Sequence, residues 1–177
     1  MKKLLIAATL LLAFAVVGAA QGTCLRYLET GAGFSFCPPD GWTIEEQAGE
    51  KYKLMFGTVA NGFRPNINIK EQTNGLTVAE YADLAQKLIL SKENVEKLGA
   101  TSMQAVGRSA FVTTSGLPGL KFIIQTEFKG LLIRSIQYYF ELQGGRKVIV
   151  TCTGLVADKE TLDPALDRSL KTFRMEN

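Results

Sequence analysis

The chain has 177 residues, of which 46% are hydrophobic, and this is the composition of one soluble globular domain. Its 20 Lys and Arg nearly balance 17 Asp and Glu, so the protein lacks the strong positive field that attracts nucleic acids, and we expect no nucleic-acid partner. The sequence contains no His, which excludes Ser-His-Asp and Cys-His nucleophile pairs, His-ligated zinc and a histidine proton shuttle.

Residues 1–20 have the pattern of a secretory signal peptide: a basic start of two lysines, a long apolar run and small residues at its end. We expect cleavage between Ala20 and Gln21, which leaves 21–177 as one domain in a bacterial periplasm or outside the cell. After cleavage, we expect no stable membrane insertion. The apolar run of about 17 residues lies at the lower limit for spanning a bilayer, so an uncleaved anchor is the alternative.

Two short apolar segments predict a β-ribbon at about 24–37, with Thr30-Gly31 as its turn. That turn sets the opposed pairs Leu25 with Phe36, Tyr27 with Phe34, and Cys24 with Cys37. One side of the ribbon is then wholly apolar. Thr30 is unfavourable in a tight turn with positive φ, so a longer loop through Gly33, with a shifted register, is the alternative.

The three cysteines lie in a chain that we expect to be exported, where disulfides persist. The opposed positions of Cys24 and Cys37 predict a disulfide between them. Cys152 is then a free thiol, and its apolar neighbours on the same strand face indicate a buried structural residue. A disulfide between Cys37 and Cys152 is the competing pairing.

The remaining chain alternates strand and helix patterns. Strands are predicted at 51–58, 66–70, 109–114, 120–128, 131–142 and 147–154, the last three forming an antiparallel meander joined by Lys129-Gly130 and Gly144-Gly145. Thr77 and Glu80 form a capping box for a helix that runs to about Lys92. Asp163 as cap and Pro164 as first helical residue predict a closing helix.

The strand 131–142 is apolar on both faces, with Tyr138 and Tyr139 pointing in opposite directions. A sheet that is apolar on both faces must be covered on both. We therefore predict an α+β fold: a single antiparallel sheet with helices packed on its faces.

Two segments and the order of the elements resemble the PsbP-like superfamily, which includes the bacterial DcrB-like envelope proteins. The segments are Phe34-Ser-Phe-Cys-Pro-Pro-Asp-Gly-Trp42 and Thr77-Val-Ala-Glu-Tyr-Ala82. The resemblance covers roughly 34–173. It implies an αβα sandwich and a non-enzymatic role as a binding or assembly factor.

Acidic residues are the remaining candidates for catalysis, as paired carboxylates. They are Glu45, Glu46, Glu127, Glu141, Asp158, Glu160, Asp163 and Asp167. Most lie in loop or helix-surface sequence, where solvated charge is the default. Glu127 and Arg134 lie diagonally on one face of the predicted hairpin, which favours a structural ion pair. We expect no catalytic residue, cofactor or metal site.

The leading hypothesis is an exported accessory protein that acts through contact with an envelope or secreted protein. The alternative is a periplasmic carrier of a small apolar ligand or lipid, held between the sheet and a helix in a cavity lined by Ile67, Leu88 and Ile136. An enzyme comes third.

Overall fold

The computed structural model describes residues 24–176, so the predicted signal peptide at 1–20 and its cleavage site between Ala20 and Gln21 lie outside the described residues. The strands are β1 (Tyr27–Glu29), β2 (Phe34–Phe36), β3 (Thr43–Glu45), β4 (Leu54–Phe56), β5 (Asn66–Thr73), β6 (Ser102–Val112), β7 (Pro118–Phe128), β8 (Leu131–Glu141), β9 (Arg146–Leu155) and β10 (Arg174–Met175). The helices are α1 (Val78–Ile89), α2 (Lys92–Lys97) and α3 (Lys159–Lys171). None of these helices is long and apolar enough to cross a membrane.

Seven antiparallel strands form the larger sheet, in the order β3-β4-β5-β9-β8-β7-β6. The predicted meander is confirmed in β7, β8 and β9. Lys129 and Gly130 have φ of 49° and 77° in the turn between β7 and β8, as a two-residue primed turn requires. β6 begins seven residues before its predicted start. A bulge between Ala105 and Gly107 interrupts the alternation of its side chains, so the sequence pattern does not indicate the first part of the strand.

The α+β class is confirmed, but the prediction of a single sheet is wrong. β1, β2 and β10 form a second sheet of three strands. After α3 the chain returns beside β2, where Arg174 pairs with Ser35. The N–H of Glu176 donates to the carbonyl of Gly33 at 2.9 Å. This pairing joins the two ends of the described chain, and the ribbon pattern alone does not indicate it.

The predicted register of the ribbon is wrong by two residues: Tyr27 pairs with Phe36, and Glu29 with Phe34. The loop runs to Gly33, which has φ of 70° and donates its N–H to the Glu29 carbonyl at 2.9 Å. A glycine adopts this conformation without the strain that Thr30 would suffer in a tight turn. A shift of two residues preserves the faces, so Tyr27, Phe34 and Phe36 are buried, whereas Leu25 is 81% exposed.

The larger sheet is covered on both faces, as expected. On one face, α3 and the smaller sheet cover a core that includes Tyr138, Phe140 and Phe173, with the last two rings stacked at 4.4 Å. On the other face, α1 packs against Phe122 and Tyr139. Tyr138 and Tyr139 therefore lie on opposite faces, as the strand pattern predicts.

The capping box at the start of α1 is confirmed: the N–H of Glu80 donates to the Thr77 hydroxyl, and the Thr77 N–H donates to the Glu80 carboxylate. The helix ends at Ile89, before the predicted end at Lys92. Ser91 accepts a hydrogen bond from the Asn94 N–H and begins the separate helix α2.

The predicted start of the closing helix at Asp163 and Pro164 is wrong, because α3 begins at Lys159. Pro164 is the sixth helical residue, where it has no N–H to donate to the carbonyl four residues before it. Asp163 lies inside the helix and accepts hydrogen bonds from Arg134 at 2.9 and 2.6 Å. This ion pair ties α3 to the sheet.

Candidate binding surfaces

Cys24 and Cys37 form a disulfide with their Cα atoms 5.7 Å apart. It closes the ribbon just outside the paired residues of β1 and β2. The N–H of Cys37 donates to the Thr172 hydroxyl at 2.7 Å, and its carbonyl accepts from the Ser169 hydroxyl at 2.6 Å. The backbone of Cys37 therefore ties the ribbon to the C-terminal end of α3, and the disulfide links Cys24 to this point.

Cys152 is unpaired and fully buried on β9, where it lies between Ile67 and Ile136 of the neighbouring strands. Burial, together with the nearby Asp167 carboxylate, raises the pKa of the thiol well above its usual value. A reactive cysteine needs a thiolate and access to solvent, and Cys152 has neither. Its role in this fold is packing.

Beneath α3, the side chains of Lys121 and Tyr138 meet at the Asp167 carboxylate. The Lys121 ammonium donates to both oxygens of the Asp167 carboxylate at 2.7 and 2.8 Å, and the Tyr138 hydroxyl donates to one of them at 2.5 Å. Burial and this carboxylate raise the pKa of Tyr138. The phenol thus stays protonated, and the cluster fastens α3 to β7 and β8.

Most of the other predicted carboxylates are also held in ion pairs, and Asp158 accepts a hydrogen bond from the Asn61 amide instead. Glu45 pairs with Arg64 at 2.6 Å, Glu46 with Lys53 at 2.9 Å, and Glu141 with Lys147 at 3.5 Å. The predicted pair of Glu127 with Arg134 is wrong, because Arg134 turns to Asp163 on α3. Among residues 24–176, no group of three or more Cys, Asp or Glu residues is placed to hold a metal ion.

The three residues predicted to line the cavity of an apolar carrier do not come together. Ile67 and Ile136 are buried in the core on the α3 side of the sheet. Leu88 is 60% exposed on α1, which packs on the opposite face. These three side chains therefore line no common space.

The first exposed surface is the outer edge of β6. This strand has eleven residues, eight of them exposed, and it is the last strand of the larger sheet. At the other end of the sheet, β3 has only three residues. Long edge strands are a template for pairing with another chain, and proteins usually shorten, charge or cover them. The only charged side chain of β6 is Arg108, and no other strand pairs with its outer edge within residues 24–176.

The alternation of hydrogen bonds between β6 and β7 determines which backbone groups of β6 point outward. The N–H of Thr113 donates to the Leu117 carbonyl at 3.0 Å, which makes these two residues a bonded pair. Bonded and non-bonded pairs alternate along an antiparallel ladder, so the N–H groups of Arg108 and Ala110 point away from β7. The Val112 carbonyl also points outward and accepts from the Lys171 ammonium. The outward N–H and carbonyl groups of Arg108 and Ala110 therefore form the open part of this edge, which ends at Val112.

The second exposed surface is a cleft of about 430 Å³ beside α1. Its floor is a row across three adjacent strands, in which Asn68 pairs with Thr151 and Thr151 pairs with Gln137. One wall is formed by α1, and the other by Leu54 and the loop before β4. The residues lining these walls are Tyr81, Ala85, Ile89, Gln47, Glu50 and Leu54.

The polar groups on the floor of the cleft are held in set orientations. The Tyr139 hydroxyl donates to the Gln137 side-chain oxygen at 2.6 Å, which turns the Gln137 amide nitrogen toward the remaining space. Burial raises the pKa of Tyr139 and of Tyr81, so both phenols are protonated at neutral pH. In the described part of the chain, every buried side-chain nitrogen and oxygen has a partner, so the unpaired amides here are accessible.

Neither surface is evident from sequence patterns alone. The first seven residues of β6, from Ser102, fall outside the predicted strand, and the place of β6 at the sheet edge depends on the strand order. The polar alternation of Asn66, Asn68, Lys70 and Gln72 in β5 is visible in the sequence. It indicates a solvated strand face but not its neighbours, Thr151 and Gln137.

No family model matches the sequence, and no curated protein matches it. Solved structures do match its fold. Cyanobacterial PsbP (CyanoP) from Synechocystis sp. PCC 6803 is similar with a TM-score of 0.65 and 14% identity, over 90% of this chain and 98% of that chain. The chain therefore has a PsbP-like fold, which confirms the resemblance predicted from the sequence.

Two further structures share this fold. LpqN, described as involved in cell envelope biogenesis of Mycobacterium tuberculosis, has a TM-score of 0.60 and 16% identity over 81% of this chain and 83% of that chain. The Ran-binding protein Mog1p of Saccharomyces cerevisiae has a TM-score of 0.56 and 9% identity over 85% of this chain and 94% of that chain.

Proposed function

We propose that this chain with a PsbP-like fold is an exported accessory protein that acts by binding another envelope or secreted protein, without turnover. The signal-peptide pattern at 1–20 and the disulfide between Cys24 and Cys37 support export, since disulfides persist in oxidising compartments. In this proposal, removal of the signal peptide leaves residues 21–177 as the mature, partner-binding domain.

Two structures with this fold support a binding or envelope role. Mog1p is named as a Ran-binding protein, and LpqN as involved in cell envelope biogenesis. The chemistry of the described residues agrees with a role without catalysis. Six of the eight candidate carboxylates are tied in ion pairs, and the Cys152 thiol is buried with a raised pKa.

The observation that carries the proposal is the open edge of β6. Its backbone can add a strand from an extended partner segment, because main-chain hydrogen bonds supply affinity in this binding mode. The regular part Gly107–Val112 lies beyond the bulge and has outward N–H groups at Arg108 and Ala110. The side chains of this part project from the two faces of the sheet, so they leave its backbone edge accessible to a partner strand.

The test is photo-crosslinking in the producing cell. A photoreactive amino acid at Ser109, on the β6 edge, is expected to give one discrete adduct with a second protein. The control is the same amino acid at Val59, which is 61% exposed and lies between β4 and β5, far from β6 in the strand order. Equal adducts from both positions would contradict a specific edge site.

A matched pair of variants tests the main-chain mechanism. Ala110→Pro removes the outward N–H while sparing the ladder to β7, because proline is tolerated on edge strands where the N–H faces solvent. Ala110→Val keeps this N–H and adds a side chain that favours strands. We expect the Ser109 adduct to disappear in Ala110→Pro and to remain in Ala110→Val. An adduct that persists at full yield in a folded Ala110→Pro variant would refute binding by strand addition.

A further inference from the structure

The cleft beside α1 has a polar row on its floor, partly apolar walls and little charge. Its floor carries the row of Asn68, Thr151 and Gln137, which supplies two amides and a hydroxyl from three adjacent strands. The next row on this face has the same chemistry, with Asn66 opposite Thr153, and Thr153 opposite Ser135. Two strand spacings of about 4.8 Å make each row roughly 10 Å wide.

These side chains are free to bind a ligand. The side chains of Asn68 and Thr151 make no hydrogen bond to any other residue of the described chain, although both are half-buried. Tyr139 fixes the Gln137 amide through its hydroxyl, so that the Gln137 nitrogen is a donor in a set direction. Half-buried polar groups in a recess favour a ligand that satisfies them with its own donors and acceptors.

The charges around the cleft favour a neutral ligand. Its lining contains one basic and one acidic side chain, Lys70 and Glu50, and both are exposed. Their charges cancel, so the recess does not select an anion or a cation. An apolar ligand is also disfavoured, because it would leave the amides of the floor without partners.

The walls add a flat apolar element. Tyr81 and Tyr139 lie together at the α1 side of the cleft, with ring centroids 6.2 Å apart. A tyrosine offers an apolar ring together with a hydroxyl at its tip. A sugar ring has the matching pattern, with C–H groups on its faces and hydroxyl groups around its edge. An extended peptide matches less well, because the floor consists of side chains and has no free strand edge.

We infer that this cleft binds a neutral saccharide, held by hydrogen bonds from Asn68, Thr151 and Gln137 to its hydroxyl groups and by contact with Tyr81. The cleft is on a face of the larger sheet, and the edge of β6 is separate from it. This inference therefore does not depend on the protein partner proposed above.

The test is NMR titration of the 15N-labelled mature chain with maltotriose, cellotriose and tri-N-acetylchitotriose. We expect at least one of them to shift the side-chain amide signals of Asn68 and Gln137. The anionic probe is trigalacturonate, and the peptide probe is acetyl-tetraalanine amide. Saturable shifts at these amides with a neutral trisaccharide support the inference. No shift with any of the three, or shifts only with the anionic or peptide probe, would overturn it.

Two variants locate the site. Thr151→Val removes a hydroxyl without changing the size or branching of the side chain, and we expect about tenfold weaker binding of the trisaccharide. Asn68→Leu removes the neighbouring amide, and we expect a similar loss. The control is Thr126→Val, which makes the same change at a half-buried position of β7 on the same sheet face, outside the cleft. Equal binding by the wild type and both cleft variants would overturn the assignment of this site.

Discussion

The disulfide between Cys24 and Cys37 gives a prediction whose size follows from the structure. Replacing both cysteines by alanine opens a loop of about 14 residues, since the two positions are separated by 13 in sequence. The buried ribbon residues Tyr27, Phe34 and Phe36 keep their contacts in the folded state. The main effect is therefore a gain of conformational freedom in the unfolded chain.

For a loop of this length, chain entropy predicts a loss of about 3 kcal/mol in the free energy of unfolding. With a urea dependence of about 2 kcal/mol per molar, the midpoint should fall by about 1.5 M. Fluorescence of Trp42 is a direct assay, because it is the only tryptophan and packs against the core five residues after Cys37.

The control is reductant on both proteins. Reduced wild type should move to the midpoint of the double variant, and the variant should not move. Cys152 is present in both proteins, so any effect of its oxidation is shared. Equal midpoints for the variant and an oxidised wild type, with the disulfide verified by mass analysis, would refute the reasoning.

Three further predictions concern packing, pH and thiol reactivity. In Gly119→Ala, the new Cβ would lie 2.5 Å from the Tyr139 carbonyl oxygen, so we expect the free energy of unfolding, measured in urea, to fall by about 1–3 kcal/mol. The control is Gly75→Ala, which has open space around the new Cβ and should be nearly neutral. Burial opposes ionisation of Glu71, but hydrogen bonds from Tyr52 and Lys51 outweigh it and lower the pKa of the carboxyl group. The ionised Glu71 therefore stabilises the folded protein above about pH 4.3, and this contribution is lost as the pH falls through the lowered pKa. Glu71→Gln should therefore be less stable than wild type at pH 7, and its unfolding midpoint should fall less on acidification; parallel pH profiles would contradict this. Cys152 should react with a thiol reagent only at the rate of unfolding, and fast labelling of the native protein would show that the thiol is accessible.

The parts of the fold that depend on local chemistry are predictable from sequence. The capping box of Thr77 and Glu80 and the Lys129-Gly130 turn each act within a few residues, and both are present as expected. Contacts between distant residues are not. Arg174 pairs with Ser35 to complete the second sheet, and Arg134 pairs with Asp163 instead of Glu127 because α3 begins earlier than its proline indicates.

The candidate surfaces depend still more on tertiary order. The row of Asn68, Thr151 and Gln137 combines three strands that are separated by up to 83 residues in sequence. Each residue alone indicates only a solvated position. The outward direction of the Ala110 N–H requires the register between β6 and β7, which the sequence does not specify at the bulge after Ala105.

Amide hydrogen exchange of Ala110 and Phe111 tests the proposed partner edge most directly. In the free protein, the outward N–H of Ala110 should exchange quickly, and the inward N–H of Phe111 should be protected by β7. Addition of a synthetic peptide with the sequence crosslinked at Ser109 should protect Ala110 and leave Phe111 unchanged. Unchanged exchange of Ala110 at saturating peptide would contradict binding at the β6 edge.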